Sequence, residues 1–250
     1  MVSVTIPKTT TIEWIDIGVK GLTDFIPGLP KGDAILIRGE PGTGKTICCL
    51  QFLHKGAEQG EKCLYITTEE TPESVMRTGA ELWPDFPDMI RDGRIQVINM
   101  SISAEYSSEF GILDKAEAMT IAEKGFAAQP KATRIVIDSL SSLERRLSDY
   151  EEFREVFMRL LLETKRKGAT VMLTAEGIPL TPDITEYLVD HLIYLDYRKQ
   201  DNEWTRVYIL RKSRSVPLKP QILKLDIKPG GLSVEETPFA LNPVWFQSKI

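Results

Sequence analysis

Residues 34–53 decide the fold: Ala34-Ile35-Leu36-Ile37-Arg38, then Gly39-Glu40-Pro41-Gly42-Thr43-Gly44-Lys45-Thr46, then Ile47-Cys48-Cys49-Leu50-Gln51-Phe52-Leu53. The central block fits the phosphate-binding pattern of a glycine, four free positions and Gly-Lys-[Ser/Thr]. The apolar run before it reads as a buried strand and the run after it as a helix, the context this pattern needs. Its glycines let successive backbone N–H groups turn toward phosphate oxygens, where a Cβ would block the approach. Lys45 is placed to reach β- and γ-phosphates and the Thr46 hydroxyl to sit on Mg²⁺, while the helix N-terminus adds partial positive charge. The expected contacts to a nucleoside triphosphate are therefore Glu40, Pro41, Gly42, Thr43, Gly44, Lys45, Thr46 and Ile47.

Composition narrows the rest. A chain of 250 residues with 42% hydrophobic and 27% charged residues has the makings of a full-sized globular core. A formal charge of -5 and a pI near 5.3 argue against a protein that coats nucleic acid non-specifically. Cys48, Cys49 and Cys63 form no C-x-x-C and no metal spacing, which predicts buried, reduced thiols and a cytoplasmic chain. No apolar run approaches membrane-spanning length, and Met1 to Trp14 carries no signal-peptide pattern.

Working outward, residues 1–13 read as a polar arm, and Ile17 to Asp33, punctuated by Gly and Pro, as a loop-rich lead-in. The helix after the phosphate loop is expected to end near Gly60. Cys63 to Thr68 is strand-like. Thr71-Pro72 then forms an N-cap with proline in the first turn of a helix toward Trp83. Ile95 to Ile98 and Arg134 to Asp138 are further strands. Asn99 to Phe110 reads as a loop, and Leu113 to Ala128 as a helix. Residues 149–167 place Tyr150, Phe153, Phe157, Leu160, Leu161 and Thr164 on one helical face. After the strand Ala169 to Thr174, four strand-like runs between Leu192 and Val234 follow without long helices, and predict antiparallel strands along one edge of a parallel sheet. Residues 236–250 read as a tail. The sum is a single α/β domain over residues 14–235, a mostly parallel, doubly wound sheet with its site at the carboxyl ends of the strands.

Asp138 closes an apolar strand in the Walker B form, where a carboxylate holds Mg²⁺, usually through its waters. Metal contacts are thus expected from Thr46 and Asp138. Glu69 and Glu70 close the strand that follows the phosphate-loop helix, which in such a sheet can neighbour the phosphate-loop strand. A carboxylate there can orient an attacking water, and the pair can equally serve a helix N-terminus. Glu176 ends another strand and reads either as an indirect γ-phosphate sensor or as a surface glutamate. Lys212 and Arg214 read either as a basic sheet edge or, in a ring, as cations reaching a neighbour's γ-phosphate. His54 and His191 lack ligand-spaced partners and read as structural.

Taken together, these stretches resemble the KaiC-like branch of the RecA superfamily of ATPases. The lead-in Gly18…Gly21-Leu22-Thr23-Asp24…Gly28-Leu29-Pro30-Lys31-Gly32-Asp33 is similar to the family's entry motif, with Gly28 alone where the family has a double glycine. Gly39 to Thr46, Thr68-Glu69-Glu70-Thr71-Pro72, Ile137-Asp138-Ser139 and Thr174-Ala175-Glu176 are similar to its phosphate loop, catalytic glutamate pair, Walker B and following strand end. Lys212 and Arg214 resemble its trans-acting Lys-x-Arg, though Ser215-Val216 stands where the family continues Gly-Ser/Thr. The resemblance implies a RecA-like P-loop fold, ATP and Mg²⁺ as ligands, Lys45 with Glu69 or Glu70 as catalytic groups, and a homo-oligomeric, hexameric ring with ATP between subunits. The clock protein of that branch carries two such domains, with a phosphorylated Ser-Thr pair in the second. Aligned on Asp190, Glu186-Tyr187 stands at that pair, so the hydrolytic half is the one resembled.

Three functions are compatible with this sequence: a slow ATPase that switches assembly or partner contact, a DNA-binding recombinase paralogue, and a non-hydrolysing ATP-sensing scaffold of the archaeal motor accessory type. The span from Glu176 to Asp190 holds four acidic residues and no Lys or Arg, a poor surface for a phosphate backbone. The hydrolytic residues are present. The ATPase leads.

Overall fold

The computed structural model describes residues 12–100, 123, 125–145, 147, 149–179, 183–200, 203–214 and 221–236. Residues 1–11 of the expected arm, 101–110 of the expected loop, most of the expected helix toward Ala128 and residues 237–250 of the tail lie outside them. Residues 125–128, the end of that helix, are helical.

The described strands are β1 (Trp14–Ile15), β2 (Leu29–Pro30), β3 (Ala34–Gly39), β4 (Cys63–Thr67), β5 (Ile95–Asn99), β6 (Arg134–Asp138), β7 (Thr170–Glu176), β8 (His191–Gln200), β9 (Glu203–Ser213), β10 (Gln221–Lys228) and β11 (Gly231–Glu236). The helices are α1 (Lys45–Glu58), α2 (Pro72–Leu82), α3 (Phe86–Arg91), α4 (Leu140–Glu144), α5 (Tyr150–Arg166) and α6 (Ile184–Leu188). β3 to β11 form one sheet in the order β11-β10-β9-β8-β3-β7-β6-β4-β5. From β5 to β8 every neighbour is parallel, and from β8 to β11 every neighbour is antiparallel. No helix among the described residues is long and apolar enough to cross a membrane.

Alternation along each parallel strand builds two cores. In β3, Ile35 and Ile37 face one hydrophobic cluster, shared with α1, while Ala34 and Leu36 face the other, shared with α5. Strands buried on both faces need apolar residues at every position, hence the unbroken runs in the sequence. The lead-in and the hairpin β10–β11 close over α1. Gln51, 3% exposed, ties them together: its amide nitrogen donates to the carbonyls of Gly18 (2.5 Å) and Leu232 (3.0 Å), and its oxygen accepts from the Leu232 N–H (2.6 Å).

Three expectations need correction. β4 does not neighbour β3, because β7 and β6 lie between them. α1 packs on β6 on its way to β4, and the chain returns later to fill the gap. β8 is parallel to β3, not the first antiparallel strand, because the short α6 carries the chain back across before the hairpins begin. The lead-in holds a two-stranded pair, β1–β2, and the stretch between Trp83 and Ile95, where the sequence reading marks no element, forms α3. The expected ends of α1, α2 and α5 agree to within about two residues, the ordinary uncertainty of helix ends. Thr71 caps α2 by accepting from Ser74 N–H, with Pro72 in the first turn. His54 and His191 have structural partners, Asp85 and Asp33, each at 2.9 Å, and all three cysteines are buried and free.

The most deeply buried charge, Arg134 at 0% exposure, pins the start of β6. Its guanidinium donates to Glu61, to the Gln59 side chain, and to the carbonyls of Asp16 and Phe52. Burial pushes the Glu61 carboxyl up, but hydrogen bonds from Arg134 and Thr133 outweigh it and hold it below its ordinary value. A depressed carboxyl stabilises the fold above its ordinary range and loses that contribution as pH falls through its folded value. Arg134→Met should therefore cost about 3 kcal/mol in urea unfolding at neutral pH. It should also flatten the fall in stability that the wild type undergoes on acidification below the ordinary glutamate range.

Candidate nucleotide site

β3 ends on Gly39, whose position beside β8 leaves no room for a side chain: a Cβ there would lie 2.2 Å from the Leu195 carbonyl oxygen. The chain turns through Gly42 (φ 80°) and enters α1 from Gly44 (φ 108°), a left-handed conformation that glycine adopts without strain. Thr43 is fully buried and locks the turn by donating its hydroxyl to the Glu40 carbonyl at 2.8 Å. Tyr197 of β8 donates its hydroxyl to the Gly42 carbonyl at 3.1 Å and receives the Arg206 guanidinium at 2.8 Å. Lys45 Nζ folds back onto the carbonyls of Gly39 (2.8 Å) and Glu40 (3.2 Å).

Across from this loop lie the ends of β4, β6 and β7. One cleft of about 300 Å³ is bounded by Pro41, Gly42, Gly44, Lys45, Thr46 and Ile47 on the loop side. Glu69, Glu70, Asp138 and Glu176 bound it on the strand-end side, and Ile227 of β10 closes one wall. Glu40 stands at the start of the turn and is exposed. Asp138 is the centre of the polar floor. Its Oδ2 accepts from the Thr46 hydroxyl (3.0 Å) and the Tyr65 hydroxyl (2.5 Å), and its Oδ1 from the Thr174 hydroxyl (2.5 Å). Burial, with the Asp138 charge adding to it, pushes the Tyr65 hydroxyl well above its ordinary pKa, which keeps it a donor.

The two glutamates differ in their surroundings. Glu69 Oε1 accepts from Ser139 Oγ (3.0 Å), next to Asp138, and from Arg145 (2.8 Å). Glu70 Oε2 accepts from Ser74 Oγ (2.8 Å) in the first turn of α2. Arg145, just past α4, also reaches Glu176 Oε2 at 3.1 Å.

The donor set suits a hard divalent cation. Thr46 and Asp138 present a hydroxyl and a carboxylate oxygen side by side in the cleft. Among the described residues no cluster of three or more His, Cys, Asp or Glu forms a protein cage. Mg²⁺ is usually held in this way, by one or two protein oxygens together with phosphates and water.

Lys212 and Arg214 lie elsewhere. β9 runs antiparallel to β8, so its end pairs with the start of β8, at the end of the parallel strands opposite the cleft. Lys212 Nζ donates to the carbonyls of Glu186 (2.7 Å), Tyr187 (3.1 Å) and Val189 (2.7 Å), and Arg214 donates to Tyr187. Burial, helped by the neighbouring Arg214, lowers the Lys212 pKa.

Sequence reasoning missed Tyr65, Thr174, Ser139 and Arg145. The first two left a trace: a tyrosine or threonine inside an otherwise aliphatic buried strand needs a partner for its hydroxyl. Ser139 stood in the sequence only as the residue after Asp138 in the Walker B resemblance, and Arg145 left no trace, because its role depends on where α4 ends.

The sequence profile described as "ATPase: KaiC" matches residues 15–238. The circadian clock protein KaiC3 of Synechocystis sp. is 31% identical over 197 residues, which are 74% of this chain and 37% of that protein. The circadian clock oscillator protein KaiC of Synechococcus elongatus is 30% identical over 178 residues, 70% of this chain and 34% of that protein. The chain thus spans little more than a third of the length of these curated relatives. A crystal structure of a KaiC-like protein from Pyrococcus horikoshii superposes with a TM-score of 0.76 at 28% identity, covering 90% of this chain and 100% of that one. The mostly parallel sheet, the phosphate loop and the sequence agree: the chain belongs to the KaiC family of ATPase domains.

Proposed function

We propose that residues 14–235 form a cytoplasmic domain that binds ATP with Mg²⁺ and hydrolyses it slowly, the bound nucleotide governing ring assembly or partner contact. The observation that carries this reading is the shared cleft, where Lys45, Thr46, Asp138, Glu69 and Glu70 meet across one space of nucleotide-binding type. In this reading the loop N–H groups and Lys45 hold the phosphates, Lys45 exchanging its carbonyl partners for β- and γ-oxygens. Thr46 and Asp138 hold the metal, which when bound offsets charge on the phosphate oxygens. Glu69 directs the water for in-line attack, because its carboxylate stands beside Ser139 at the end of the Asp138 strand. Glu70 faces α2 and supports the strand end.

Two cations at the opposite end of the strands support the ring reading. They cannot serve their own cleft, so they are matched to a neighbour's. Lys212, its donors held by the carbonyls of Glu186, Tyr187 and Val189, fixes the segment, and Arg214, which also holds Tyr187, is the group assigned to the neighbour.

Glu69→Gln combined with Glu70→Gln should reduce phosphate release at least about a hundredfold and leave ATP affinity within about threefold. Undiminished release would overturn the catalytic assignment, and comparison of the two single variants should place the larger loss on Glu69. Tyr65→Phe removes one donor from Asp138 and should raise the Mg²⁺ concentration needed for nucleotide binding by about tenfold, read by titrating the metal at fixed nucleotide. Subunits carrying Lys45→Ala, mixed with subunits carrying Arg214→Ala, should regain turnover that neither has alone. A mixture that stays inactive while still assembling would remove the trans role.

A further inference from the structure

Four carboxylates, Glu69, Glu70, Asp138 and Glu176, face the cleft against a single lysine, Lys45. That balance is poor for admitting a polyanion. Asp138 is compensated by three hydroxyl donors and Glu70 by Ser74. Glu69 and Glu176 share the remaining compensation, the forked guanidinium of Arg145, which gives one N–H group to each. The backbone of Glu176 is fixed as well: its N–H donates to Ser141 Oγ at 2.9 Å, and its carbonyl accepts from Arg38 at 3.2 Å. Arg145 therefore bridges β4 to β7 behind the strand-end wall, spanning the two strands between which β6 and its Asp138 lie.

We propose that Arg145 sets the preference of this cleft for a nucleoside triphosphate over a diphosphate, acting as a positioning residue through Glu69 and Glu176. The inference rests on the nucleotide reading above. The phosphate loop holds the phosphates from one side, and the terminal phosphate of a triphosphate is the one that comes up against the strand ends. Without Arg145 the two carboxylates would meet that phosphate with no cation beside them, Glu69 keeping only the Ser139 hydroxyl, and like charges in a partly closed cleft repel. A diphosphate ends short of them and is spared. The side chain of Arg145 is 57% exposed, and those of Glu69 and Glu176 are 41% and 47% exposed, so solvent screens each pair and the effect is moderate.

The test measures binding, not turnover, with Mg²⁺ present. ADP and the β,γ-imido analogue of ATP are titrated into the wild type, Arg145→Ala, Glu69→Gln/Glu176→Gln and the triple variant. Arg145→Ala should weaken the triphosphate analogue about tenfold and ADP less than about twofold. In the Gln/Gln background, with no charge left to compensate, Arg145→Ala should weaken neither nucleotide further. Equal losses for both nucleotides, or an unchanged loss in the Gln/Gln background, would overturn the proposal and leave the ATP reading intact. Failure of the wild type to bind either nucleotide would overturn that reading and this one with it. Arg145→Gln, which keeps length and hydrogen bonding without the charge, should repeat the alanine result if melting shows that alanine unfolds α4.

Discussion

The cleft depends on how one carboxylate is held. Asp138 ends a buried strand, where an isolated charge would be costly, and the hydroxyls of Thr46, Tyr65 and Thr174 reduce that cost by donating to both of its oxygens. These donors come from three different elements, α1, β4 and β7, while the acceptor comes from β6. The same contacts that satisfy the charge thus fix the phosphate-loop helix against three strand ends. This is a supporting shell of the kind that sets the orientation of a metal-holding carboxylate.

A second polar cluster lies next to the loop on its other side. Arg38, the residue before Gly39, is 4% exposed and pairs with Asp183 and with Glu186, itself 3% exposed. Burial raises the Glu186 pKa, and the hydroxyl of Tyr194 and the charge of Arg38 only partly offset it. Asp183 caps α6, and the carbonyls at the end of α6 hold Lys212 and Arg214. A continuous run of polar contacts therefore joins the root of the phosphate loop to the opposite end of the strands. It physically couples the phosphate loop to the segment that carries Lys212 and Arg214.

Much of this was legible in the sequence, for identifiable reasons. The parallel strands declare themselves because both faces are buried, and Gly39 to Thr46 because only such glycine spacing permits the loop. Asp138, Glu69 and Glu70 were read from strand ends. The adjacency of β4 to β3 assumed for the glutamates fails, yet they line the cleft because the carboxyl ends of parallel strands share one side of the sheet. Strand order was not legible: nothing local in Cys63–Thr67 says that β6 and β7 will insert beside it. The chain direction of β8 was equally hidden, because it depends on the five-residue α6 rather than on the strand's own pattern. Arg145 and Ser139 were out of reach for the same reason, as their partners are 31 to 76 residues distant along the chain.

Gln51 carries a consequence of its own. One side-chain amide on the phosphate-loop helix is joined to the lead-in at Gly18 and, through both donor and acceptor, to the start of β11 at Leu232. Ile227, in the strand paired with β11, forms part of the cleft wall and stands where a Cβ at position 44 would come within 3.3 Å of it. The helix, the lead-in and the hairpin are thus riveted into one body, and a ligand that tugs on the loop must shift the outer layer as a unit or not at all.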